Sequence, residues 1–73
     1  MDKQRYKQLE EDILLIKDYS TYSTSDLRND VEIYLTMLDD TNNVRMIKGI
    51  GRQLKDIAEE MKKRKQQDIK KGL

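Results

Sequence analysis

The chain has 73 residues, 40% of them charged, a formal net charge of +1, and no cysteine, histidine, proline or tryptophan. That length allows a single domain near the lower limit for independent folding. The missing residue types exclude disulfide staples, thiolate chemistry and the commonest metal ligand and general base.

With abundant Lys, Glu, Leu and Ile and no helix-breaking proline, the chain reads as all-α, a small three-helix bundle interrupted by two polar breaks. The first helix is expected from Asp2 to Asp18, where Tyr6, Leu9, Ile13 and Ile16 fall at three-four-three spacing. Leu14 and Leu15 widen that face, so the helix should touch two neighbours. The run Ile13-Leu14-Leu15-Ile16 is the longest apolar stretch, far too short to span a bilayer. Met1-Asp2-Lys3-Gln4 does not begin a signal-peptide core, so a cytoplasmic protein without a membrane partner is expected.

The first break is Ser20-Thr21-Tyr22-Ser23-Thr24-Ser25, whose hydroxyls compete for backbone hydrogen bonds. Ser23 as N-cap puts Asp26 at the third helical position and Leu27 at the fourth. That pattern is a weak capping box with Tyr22 stapled onto Leu27. A second helix over 24–38 comes next, with Leu27, Val31, Tyr34, Leu35 and Leu38 as its main face and Ile33 and Met37 beside it. An element apolar on two sides belongs at the centre. Asp39-Asp40-Thr41-Asn42-Asn43 is the second break, and Thr41, Asn42 or Asn43 can cap the third helix.

The third helix, expected over 44–67, is the long C-terminal helix added to a helical hairpin, and it carries a heptad seam. Ile47, Leu54 and Met61 occupy position a, and Ile50 and Ile57 position d. Val44, Gly51 and Ala58 share position e, a column of small or β-branched residues. Gly51 and Ala58 invite either the close approach of another helix or, with Gly49, a bend at Gly49-Ile50-Gly51. A chain this small with such a seam is expected to complete its core by homo-oligomerisation.

Charge divides the chain in two. Residues 1–42 carry −5 and residues 43–73 carry +6. After Met61 the stripe gives way to Lys62-Lys63-Arg64-Lys65, so residues 1–61 are read as one helical domain and 62–73 as a basic overhang, partly frayed. Arg45, Lys48, Arg52 and this Lys62–Lys65 run are candidate contacts for an acidic partner or nucleic-acid phosphates. The competing reading is a solvated basic end that opposes the helix dipole.

Other motifs are weaker. Gly49-Ile50-Gly51 lacks the strand and lysine of a phosphate loop, and Asp39–Asn43 lacks the glycine and glutamate of a calcium loop. Glu10-Glu11-Asp12 and Glu59-Glu60 are carboxylate clusters without a nucleophile beside them, so no enzyme, cofactor, metal or small-molecule ligand is expected. Tyr6, Tyr19, Tyr22 and Tyr34 lie in the acidic half and suit either a protein-binding surface or bundle filler. The sequence is read as that of a small regulatory or adaptor protein of bacterial or phage type, binding itself and a larger protein. A dimeric nucleic-acid-binding regulator is the alternative.

Overall fold

The computed structural model describes residues 3–71, with the side chains of residues 3–67. Three helices and a short connector make up the all-α bundle: α1 (Lys3–Asp12), a 3-10 turn (Tyr19–Thr21), α2 (Thr24–Asp40) and α3 (Val44–Lys71). The molecule measures 46 × 23 × 20 Å, and the long dimension is α3, whose 28 residues span ~42 Å at the helical rise. The expected start at Asp2 and the side chains of 68–73 in the expected overhang lie outside the described residues.

α2 starts as its capping sequence predicts. The Ser23 hydroxyl accepts the Asp26 amide at 3.0 Å, and α2 runs two residues past the expected end to Asp40. Of the three candidate caps for α3, Asn43 fills the role: its Oδ1 accepts the amides of Arg45 at 2.9 Å and Met46 at 3.4 Å. A three-residue link between α2 and α3 leaves little room except for an antiparallel hairpin.

α1 is the element that differs most from expectation, ending at Asp12 and not at Asp18. Ile13 goes into the core, while Leu14, Leu15 and Ile16 turn outward at 60, 53 and 82% exposure. The reason lies forty residues away. The Gln53 amide, itself buried, donates to the carbonyls of Ile13 (3.0 Å) and Leu15 (2.7 Å), and its Oε1 accepts the Tyr19 hydroxyl. Those bonds satisfy a non-helical backbone against α3, replacing the helical ladder that local propensity would have formed.

Nine side chains form the core: Leu9, Ile13 and Tyr19 from the first third, Leu27, Ile33, Tyr34 and Met37 from α2, and Ile50 and Ile57 from α3. On α2 the inward face is therefore rotated from the one expected. Ile33 and Met37 are buried with Asp30, whereas Leu35 is half exposed.

α3 runs unbroken through Gly49 and Gly51, so there is no helix break there. The close approach belongs to Gly49: a Cβ there would overlap Ile13 Cγ2 and lie 3.3 Å from the Ile13 carbonyl. Gly51 meets nothing within 4 Å, and Ala58 and Val44 are exposed. Within one chain, the small column at position e has no helix packed on it.

Candidate interaction surface

The heptad positions of α3 separate into two faces. Ile50 and Ile57 at d are fully buried, and the inward face is completed by position g, Met46, Gln53 and Glu60. The a column lies on the flank: Leu54 and Met61 are partly buried, and Ile47 is 40% exposed. Beside it runs the exposed e column of Val44, Gly51 and Ala58. The a and e columns thus form an uncharged stripe from Val44 to Met61 that the rest of the chain covers only at its inner edge.

α2 supplies the matching flank. Val31 and Met61 line one surface hollow together with Arg28 and Glu32. In an antiparallel hairpin, each step of seven residues up α2 is met by seven down α3. Starting from Val31 beside Met61, that register brings Leu38 level with Leu54, with Leu35 between, while Ile47 lies two turns further along α3 near the link. Helical geometry thus gives α2 and α3 a shared apolar flank, the α2–α3 groove, on which Leu35 and Ile47 are exposed.

Charge frames this groove. Lys48, Lys55 and Lys62 at position b, Lys65 at e and Arg52 at f are all exposed along its α3 bank, and Glu59 is the acid among them. Arg45 lies exposed on the outer face. Arg64 behaves differently. It follows the d column inward, where it donates to Glu60, to the Thr24 hydroxyl and to the carbonyls of Tyr19 and Tyr22. Of the basic run at Lys62–Lys65, Arg64 is thus a tie between α3 and the connector, while Lys62, Lys63 and Lys65 remain exposed.

Polar pairs hold the remaining structure in place. Asp30, only 1% exposed, receives Arg5 through Nε at 2.9 Å and Nη2 at 2.7 Å. The hydrogen bonds it donates to this carboxylate raise the guanidinium pKa further. Lys17 lies 3.0 Å from Asp12, with the Tyr19 and Tyr22 rings 5.9 and 5.6 Å from its ammonium. Burial is the largest single influence and opposes the charge on both Asp12 and Lys17, but their ion pair and the other polar groups around them together outweigh it. Asp12 is held below the usual aspartate value and Lys17 above the usual lysine value. The Tyr34 hydroxyl is buried beside Tyr19, and burial pushes both phenols up.

One carboxylate of each acidic cluster is tied to the scaffold, and Glu10, Glu11 and Glu59 are exposed. Asp12 pairs with Lys17 and Glu60 with Arg64, and among the described residues no group of three or more carboxylates converges as a metal site. No described helix is long and apolar enough to cross a membrane. The feature left without an intramolecular role is the α2–α3 groove.

Two features escaped the sequence. Gln53 sits at g, adjacent to the a/d seam, where a polar residue reads as solvated. Asp30 falls within the α2 face, and its partner Arg5 is 25 residues away, beyond any periodic signal. No protein-family model matches the chain, and no curated protein or solved structure was found to be similar to it.

Proposed function

We propose that this chain is a small non-enzymatic adaptor or regulator that acts stoichiometrically by packing its α2–α3 groove against protein. One observation carries the reading. Ile47 and Val44 stand 40 and 65% exposed on the uncharged stripe of α3, and Leu35 stands 50% exposed on the flank of α2. An exposed apolar strip rimmed by charge is the anatomy of an interface. One carboxylate of each acidic cluster is held in an ion pair, Asp12 with Lys17 and Glu60 with Arg64, and no nucleophile stands beside them in the sequence, which favours binding over catalysis.

Affinity capture from the source cells tests the reading with wild type and the double variant Leu35→Asp/Ile47→Asp. Both side chains are largely outside the core, so the variant keeps its helical circular dichroism. The expected result is a protein recovered at fixed stoichiometry with wild type, a second copy included, and lost with the variant. Equal recovery with both would rule the groove out as the interface.

The nucleic-acid reading has its own support: Arg45, Lys48, Arg52 and Lys55 are exposed on the outer side of α3. Phosphate binding there would fall steeply with added salt. A duplex that fails to shift even at low ionic strength would eliminate it.

A further inference from the structure

The structure carries a second apolar patch, and its character is complementary to the groove. Leu14, Leu15 and Ile16 project from the connector at 60, 53 and 82% exposure, three consecutive large side chains each more than half exposed. Their backbone is fixed from beneath by Gln53 and by the ion pair of Asp12 with Lys17 that brackets them. This is a rigid knob and not a loose loop.

Knob and groove cannot meet within one molecule. Leu14 and Leu15 lie against α3 at Gly49 and Gln53. At ~100° per residue, the mean direction of those two positions is roughly 150° around the helix from the a/e stripe. Each chain therefore presents two apolar surfaces on nearly opposite flanks of α3.

Their charges match. Glu10 and Glu11 line a surface hollow with Leu14, at whose edge Arg45 also stands. Asp18 comes just after the knob and is exposed. The α3 bank of the groove presents Lys48, Lys55 and Lys62, exposed along one side. An acid-flanked knob fits a base-flanked groove, whereas grooves facing each other across a perpendicular two-fold axis would set lysines against lysines.

We propose that the Leu14-Leu15-Ile16 knob of one copy seats in the α2–α3 groove of the next, so that the chain assembles head to tail. The inference rests on the reading of the groove as a protein interface and names its occupant. A contact between two different surfaces is heterologous: repeated, it closes into a ring or extends as a filament. It also leaves one free groove and one free knob at the ends of any open assembly, where a different protein could dock.

Mixing complementary variants tests this directly. Leu15→Asp/Ile16→Asp removes the knob and Leu35→Asp/Ile47→Asp removes the groove, all at exposed positions. In sedimentation velocity, wild type is expected to grow with concentration and each variant to stay a monomer. An equimolar mixture of the two variants is expected to form a dimer that grows no further, because it has one intact knob and one intact groove. Wild type that remains monomeric at every concentration would overturn the proposal, as would a mixture that yields no dimer. A knob variant that still associates like wild type would overturn it too, while leaving the groove as an interface between like surfaces. Should an aspartate variant lose helicity, charge reversal replaces it. Glu10→Lys/Glu11→Lys alone and Lys48→Glu/Lys55→Glu alone are expected to weaken association, and their mixture to restore it. Failure of the mixture to restore association would count against the proposal equally.

Discussion

Single residues decide how the chain folds back on itself, and the Arg5–Asp30 pair is the clearest case. A carboxylate that is 1% exposed is tolerable only while its bidentate partner is present. Arg5→Met is expected to lower unfolding stability by about 3–5 kcal/mol, measured by urea titration. Arg5→Met/Asp30→Leu should recover most of that loss, because no charge is then left buried. A double variant as unstable as the single would show that the arginine acts through other contacts. Titration of the buried and paired groups sets the pH dependence. Asp12 is depressed when folded, so its contribution is present above the unfolded value, about pH 3.9, and is lost as pH falls through the lower folded value. Lys17, Tyr19 and Tyr34 are raised, so theirs is present below the unfolded values near about pH 10 and is lost as pH rises through the folded ones. With no histidine, the urea midpoint is expected to stay flat between these limbs. A marked slope near neutrality would contradict these assignments.

At the level of elements, the two glycines of α3 make opposite predictions. Gly51→Ala adds a methyl into open space and removes a flexible residue from a helix interior, a gain of about 0.5–1 kcal/mol. Gly49→Ala makes the same local gain but drives a methyl into Ile13, for which overpacking costs of about 1–3 kcal/mol are usual. Thermal unfolding at low protein concentration should rise for the first and fall for the second; equal shifts would mean that α1 does not lie where Gly49 places it. The sequence made the three helices legible, through the Ser23 cap, the Thr41–Asn43 capping segment and the apolar content of α2. It did not reveal which faces point inward. Position a looked like the seam because five apolar residues shared its stripe, but the true inward face also includes Gln53 and Arg64, polar side chains that a hydrophobic pattern counts as solvent-facing. The early end of α1 was hidden for the same reason. Ile13–Ile16 has helical spacing, and only the distant Gln53 amide shows why the backbone departs from it.

For the whole molecule, the rotation of the inward face is what gives the seam its meaning. With d and g turned to the core, the apolar a column and the small e column are left on the outside, next to Val31, Leu35 and Leu38. The stripe that the heptad pattern marks as the seam is instead covered only at its inner edge. The site was therefore legible as a set of residues but not as a surface, since Leu35 was read as core. The central claim, that protein covers this groove when the chain is at work, is tested most directly by a photo-crosslinking side chain at position 47 in living cells. The expected result is a discrete protein adduct, with a second copy or another chain, and none from the same side chain in place of Asn29, which is exposed on the far side of α2. Equal labelling from both positions, or none from position 47, would contradict the claim.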